Sequence, residues 1–381
     1  MVIRRVMIGL AALAVVAAGS LWALYRDRTH SVALAPEAFQ GLTLDQRAAL
    51  ITGGAVSGGA PGAVLLLQVG DRKVVQTSGV PERRSAQPVR PDVLLRVASV
   101  GKIHTAAVVV ELSRRGVIDL DQKISAYLPE DIIDGLPNGD TATVRQLLNH
   151  TAGIPTYKDK KAYLFDDWTK PLTLERALHV AKRQDTLFPA GERLSYSNMG
   201  YVLAGEIAER VSGSALADLI DEVLIEPLGL PATSYGLHNP PGADLHGYGT
   251  ELRPWADTFI FWEHSAADAG IVASASDIAA VLEALVMPDG ALRDLGAAML
   301  EQPFGRKGAF QRSQGFAIRT RDDGTTLIGH NGDVAGYVTF AHALPDHDAI
   351  VVGHINCDCA DLLAAMLDGA VEAVTAEQVG R

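Results

Sequence analysis

Cysteine is almost missing from this chain: there are two, Cys357 and Cys359. Two thiols separated by one residue exclude a disulfide framework. On a strand both would face the same side, and a bridge across one residue would be strained, so no bridge is expected. His354 lies nearby, yet the spacing matches no zinc pattern, and no metal is expected. Basic charge is also scarce. Thirty-three Lys and Arg stand against 45 Asp and Glu, for a formal net charge of -12. With no basic run either, a nucleic-acid partner is excluded. Repeats of fixed period and low-complexity tracts are absent, which excludes a solenoid. No serine has the Gly-x-Ser-x-Gly context that an α/β-hydrolase needs.

What is present is apolar and long. The 381 residues are 48% hydrophobic, enough for one large core or two smaller ones. The longest uncharged apolar run, Val6 to Leu24, follows Arg4 and Arg5. At about 1.5 Å per residue it nearly spans a hydrocarbon core of about 30 Å. It exceeds the usual signal-peptide core of about 7–15 residues. Residues 1–30 are therefore expected to export the chain, as an anchor in the cytoplasmic membrane or as a cleaved signal, leaving the rest periplasmic or otherwise extracytoplasmic. Residues 31–44 read as a linker. The sequence carries no signal for an oligomeric state.

The pattern along the chain changes twice. Leu44–Ile51 reads as a short helix. Gly62–Val69 and Lys73–Thr77 read as the two strands of a hairpin around Gly70-Asp71. From about 117 to 270 the helical period dominates, with helices at Val144–Leu148, Thr173–Lys182, Asn198–Val211 and Ala217–Ile225. A helix at Ser276–Val286 follows. Then come strands at Gly315–Thr320, Thr325–Gly329, Gly336–Ala343 and Ala349–Ile355, and a last helix from Asp361 to Val374. Strands from both ends with helices between predict an α/β plus all-α fold: an antiparallel sheet flanked by terminal helices, with a helical part inserted. The expected division is an α/β part at 45–100 and 270–375, a helical part at 101–269, and a tail at 376–381. The aromatic stretch from Trp255 to Trp262 is expected to pack the cleft edge, with lining of the acyl pocket as the alternative.

Chemistry concentrates at Ser99-Val100-Gly101-Lys102, at the mouth of a helix apolar on nearly every face. Residues at i and i+3 share a helix face, which sets the Ser99 hydroxyl beside the Lys102 amine. A desolvated lysine is a usable base or hydrogen-bond partner. Backbone N–H groups at the helix start suit a developing oxyanion. Tyr196-Ser197-Asn198 is the single Tyr-x-Asn in the chain. His330-Asn331-Gly332-Asp333 lies between two strand candidates, where a glycine lets backbone approach a substrate.

Ser-x-x-Lys, Tyr-x-Asn and a basic residue-x-Gly, in that order, resemble the penicillin-recognising serine hydrolases: class C β-lactamases, serine D-alanyl-D-alanine carboxypeptidases and related esterases. The likeness extends over about 45–375. It includes Gly116-Val117-Ile118-Asp119-Leu120-Asp121, Gln146-Leu147-Leu148-Asn149-His150-Thr151-Ala152-Gly153-Ile154-Pro155, Phe188-Pro189-Ala190-Gly191 and Glu226-Pro227-Leu228-Gly229-Leu230. The resemblance implies a β-lactamase-like fold and acyl transfer through a serine ester, with no cofactor, on a small-molecule or peptidoglycan-type substrate. Ser99 would be the nucleophile, and Lys102 and Tyr196 would handle the proton. Asn198 would contact the substrate, and the N–H groups of Ser99 and Asp333 would hold the oxyanion. His330 would take the place of the basic residue facing a substrate carboxylate, partly protonated near neutral pH. Histidine and Asn331 depart from the usual Lys and Thr, which argues against a potent β-lactamase. The alternative is a sensor of the same fold that binds penicillin or peptidoglycan without turnover.

Overall fold

The computed structural model describes residues 36–157, 173–236, 245–249, 256–258 and 267–379. The apolar run at 6–24 and the aromatics Trp255 and Phe259 to Trp262 lie outside these residues.

Thr43 starts the first helix, α1 (Leu44–Ser57), with a capping box in which Thr43 and Gln46 each bond the other's backbone N–H. The helix runs past Ile51 because Ala48, Ile51 and Ala55 form one buried stripe that continues through its glycines. Two strands follow, β1 (Gly62–Val69) and β2 (Arg72–Gly79). The C-terminal third adds β8 (Phe304–Arg306), β9 (Phe310–Arg312), β10 (Ala317–Thr320), β11 (Thr326–Val334), β12 (Tyr337–Leu344) and β13 (Ala349–Ile355). Together they make one eight-stranded sheet, ordered β2-β1-β13-β12-β11-β10-β9-β8 and antiparallel at every pairing. The strand nearest the N-terminus is thus zipped to the last one, Leu66 opposite Val352.

Every residue of β1, β12 and β13 is buried, so both faces of the sheet are covered. The period of two sends Leu65, Leu67, Phe340 and Val351 to one face, against α1 and the last helix, α9 (Ala360–Val379). It sends Val64, Leu66, Ala341 and Val352 to the other, into a core shared with the helical middle of the chain. Each fully buried Leu, Ile or Val contributes on the order of 1.5–3 kcal/mol.

That middle contains α2 (Lys102–Arg114), α3 (Val144–Leu148), α4 (Leu174–Ala181), α5 (Asn198–Ser212) and α6 (Leu216–Ile220). Thr143 and Thr173 cap α3 and α4 through their hydroxyls, and Gly213, in the left-handed region, ends α5. Two more helices, α7 (Ala275–Val286) and α8 (Arg293–Met299), lead back to the sheet. A small three-stranded sheet joins β3 (Leu95–Arg96) to β7 (Ile271–Ala273) and β7 to β4 (Thr233–Tyr235). The two-stranded ribbon of β5 (Tyr248–Gly249) and β6 (Ala256–Asp257) lies against the main sheet, where the Tyr248 N–H meets the carbonyls of Gly336 and Asn356.

Three expectations are corrected. Strand β11 does not stop at Gly329 but runs through His330-Asn331-Gly332-Asp333, because β12 pairs with it as far as Val334. Strands β8 and β9 and helix α8 were not foreseen; the two short strands form a hairpin at the sheet edge, too brief to show a period. Cys357 and Cys359 are joined as a disulfide. The chain leaves the strand after Ile355 and bends towards α9, which brings their Cα atoms to 5.3 Å, within the range a disulfide spans.

Candidate active site

Ser99 sits on a 3-10 turn, Ala98–Gly101, that runs directly into α2. Ala98 is left-handed (φ 49°), unusual for a residue with a side chain. The turn is clasped from two sides. A side chain at Gly101 would meet Ile271, and one at Gly332 would stand 2.2 Å from the Val97 carbonyl, so β11 lies directly on the turn. The pairing of β3 with β7 sets Arg96 opposite Val272. It thereby draws the segment before β7, including Asp268, up to the serine turn.

The amine of Lys102 is completely buried. Its Nζ lies 3.1 Å from Ser99 Oγ, 2.8 Å from Asn198 Oδ1 and 2.7 Å from the Asp268 carbonyl. The Asp268 carboxylate, equally buried, is 3.7 Å away and accepts the Tyr157 hydroxyl on both oxygens at 2.9 Å. Two opposite charges out of water are tolerated because each meets the other and its hydrogen-bonding sites are filled.

Tyr196 joins this group from the loop before α5. Lys102 Nζ lies 5.2 Å from its ring centre, and the Arg312 guanidinium 5.3 Å. The ring contacts His150 at 4.3 Å and His330 at 5.9 Å between centroids. Ser99, Lys102, Tyr196, Asn198 and His330, spread over more than two hundred residues of sequence, thus surround one buried spot. Gly332 lies two residues along β11 from His330, on the same face. Asp333 and Asn331 point to the opposite face: Asp333 is exposed, and Asn331 Oδ1 meets His342 Nε2 at 2.8 Å. The Asp333 carboxylate therefore does not crowd the serine, although its backbone runs beside Gly332.

The charge state expected for His330 is corrected. Burial first, then the nearby cations Arg312 and Lys102, hold it well below the usual histidine range, so it is neutral at pH 7. Its Nδ1 bonds the Asn331 carbonyl, and Nε2 has no hydrogen-bond partner among the described residues. The cation on this wall is Arg312 of β9. Burial pulls its guanidinium below the usual value, opposed by Tyr196 and Tyr201, but a guanidinium stays charged through such a shift. His150 is neutral for the same reasons as His330.

Sequence reasoning missed Tyr157, Asp268 and Arg312. None belongs to a short motif, and Asp268 is 166 residues from Lys102. His150 stood in a quoted phrase but was given no role.

The geometry gains meaning from known proteins. The family model described as Beta-lactamase matches residues 45–369. Penicillin-binding protein 4* of Bacillus subtilis (strain 168) is 28% identical over 212 residues, which is 52% of this chain and 44% of that protein. The D-alanyl-D-alanine-carboxypeptidase/endopeptidase AmpH of Escherichia coli (strain K12) is 28% identical, over 46% of each chain. These matches span less than half the length of either relative. Esterase EstB of Burkholderia gladioli is 25% identical over 64% of this chain and 70% of the esterase. Among solved structures, D-amino acid amidase from Ochrobactrum anthropi SV3 superposes with a TM-score of 0.76 at 24% identity, covering 88% of this chain and 99% of that one. That likeness concerns the fold, an antiparallel sheet with helices.

Proposed function

The chain belongs to the beta-lactamase family, and on that premise we propose that it is an exported serine hydrolase that cleaves an amide or ester through a serine acyl-enzyme. The observation that carries this reading is the buried contact of Ser99 Oγ with Lys102 Nζ at 3.1 Å, with Asn198 on the same amine. A hydroxyl beside a desolvated amine, close to a tyrosine between two cations, is the arrangement of an activated nucleophile.

Ser99 attacks the carbonyl carbon and its proton passes to the Lys102–Tyr196 pair. The Asp268 carboxylate favours Lys102 as the ammonium, and Lys102 with Arg312 stabilises negative charge on the Tyr196 oxygen. Tyr196 is accordingly the proton acceptor, and it returns the proton to the leaving amine or alcohol. The N–H groups of Ser99 and Asp333 receive the oxyanion. Asn198 contacts the substrate amide or carbonyl, and water then hydrolyses the ester with the same groups in reverse. With His330 neutral, the positive charge available to a substrate carboxylate is that of Arg312.

The substrate classes that fit are those named for the relatives: a peptide ending in D-alanyl-D-alanine, a D-amino-acid amide, a short ester, and a β-lactam as a weak substrate. A panel of these, with p-nitrophenyl acetate as the generic ester, tests the reading. Multiple turnovers are expected, with a phosphonate or penicillin label on the Ser99 peptide. Ser99→Ala is expected to lose both while unfolding normally. Label on another residue would sink the assignment, and consumption of a single equivalent would mark a sensor rather than a hydrolase.

Export rests on the apolar run at 6–24. Residues 1–30 fused to alkaline phosphatase should give active enzyme in a bacterial host, and retention in membranes after a salt wash distinguishes an anchor from a cleaved signal. An inactive, well-expressed fusion counts against export.

A further inference from the structure

We propose that His150 is a positioning residue for Tyr196, gripping the tyrosine loop at three consecutive residues. The inference rests on the reading of Tyr196 as the proton acceptor. His150 follows α3 and Asn149 in the left-handed conformation, φ 63°, which costs a residue with a side chain about 1–2 kcal/mol. Such a conformation persists only where its surroundings over-determine it, and here they do. Asn149 Oδ1 accepts both the N–H and the hydroxyl of Thr151, at 3.2 and 2.6 Å. Tyr201 of α5 donates its hydroxyl to the Leu148 carbonyl at 2.7 Å. A side chain at Gly200 would stand 2.9 Å from the Leu147 carbonyl, so the end of α3 is seated directly on the backbone of α5.

From this fixed point His150 reaches the loop in three ways. Its carbonyl accepts the Ser195 N–H at 2.9 Å. Its Nδ1 accepts the Ser197 N–H at 3.2 Å. Its ring lies on the Tyr196 ring, centroids 4.3 Å apart and planes 33° apart, with Tyr201 at 5.4 Å. Because Nδ1 accepts, the ring is neutral with its proton on Nε2. A protonated ring could not accept from Ser197 and would add a third cation beside Lys102 and Arg312. The left-handed turn is therefore what aims the imidazole, and the imidazole is what fixes the tilt of the Tyr196 ring.

The test is a double-mutant cycle on an ester substrate. Asparagine tolerates the left-handed region but supplies no ring, so His150→Asn should lower kcat by about 10- to 100-fold, the usual cost of a misplaced catalytic group. KM should stay within about threefold and Tm within a few degrees of wild type. In a Tyr196→Phe background the same substitution should change kcat by less than about twofold, because the group it positions is gone. His150→Gly, which adopts the conformation without strain, is measured in parallel and carries the test if the Asn variant fails to fold. Equal losses in both backgrounds, or an unchanged kcat in folded His150→Asn or His150→Gly, overturn the proposal. Full activity of Tyr196→Phe alone would instead overturn the assignment of Tyr196, and this inference with it.

Discussion

Two buried sets of ionisable side chains share this molecule and behave in opposite ways. In the candidate site, Lys102 and Asp268 are both wholly buried and paired as ions, with Tyr157, Asn198 and Ser99 meeting their remaining hydrogen-bonding sites. In α2 and the sheet, His104, His342 and His354 are also buried but pair with no carboxylate among the described residues. Burial pushes His104 down to about 4 and, together with nearby arginines, His342 and His354 down to about 3. Of the lysine and these histidines, the interior keeps the charge that an opposite charge is built to meet, and the unpaired imidazoles surrender their protons; Arg312 stays charged because a guanidinium is too basic to lose its own. Catalytic potential follows the first set, and acid lability follows the second.

The sharpest way to break the comparison is to remove one partner of the ion pair. Lys102→Ala leaves the Asp268 carboxylate buried without its cation. It should cost about 3–5 kcal/mol of folding stability and lower kcat on the order of 10²–10⁴-fold. Urea unfolding beside ester turnover checks both, and unchanged stability would mean that the pair is not ionic. Asp268→Asn is milder, since the amide keeps a partner for Tyr157. A loss of about 1.5–3 kcal/mol is expected, the worth of hydrogen bonds to a charged group. The matching measurement is the same urea series at low and high salt, where a buried pair should respond little.

The histidines set the pH dependence. Their folded values lie below the unfolded value of about 6.5, so the unfolded chain binds more protons between the two. Stability is full above pH 6.5 and falls as pH drops towards 4, by about 1.4 kcal/mol per pH unit for each histidine. Neither ring nitrogen of His104 has a hydrogen-bond partner among the described residues. His104→Leu should therefore be neutral or stabilising at pH 7, and it should remove one histidine's share of the slope between pH 6 and 4.5. Thermal melts across that range decide it; an unaltered slope would mean that His104 is not buried neutral. The smallest effect is expected on the surface. Arg210→Ala breaks the partly exposed i,i+4 pair with Glu206 on α5 and should cost only about 0.3–0.5 kcal/mol, near the limit of a careful denaturation curve.

Much of the site could be read before the fold was seen, and the reason is local. Ser99 and Lys102 are one turn apart, and Thr173 and Gly213 announce helix ends through hydrogen bonds made within four residues. The sheet was legible from β1, β12 and β13, whose predominantly apolar runs suit strands covered on both faces. The misreadings share the opposite cause. The extension of β11 through Gly332 depends on β12 as its partner, and the closing of Cys357 on Cys359 depends on the bend into α9.

By itself, then, the sequence determined the antiparallel sheet with its inserted helices, which rests on period and capping, and the closeness of Ser99 to Lys102, which rests on short spacing; that Tyr196, Asn198 and His330 belong with them came from the resemblance of the ordered motifs to a known family. Only the tertiary structure decided their charges. A histidine in a motif says nothing of its burial, and His330 proved neutral because water is excluded and Arg312 and Lys102 stand close to it. Nor does a lysine in a motif name its counter-ion. Asp268 comes to Lys102 because β7 pairs with β3, a contact between segments more than 170 residues apart whose electrostatics exist only once the chain has folded.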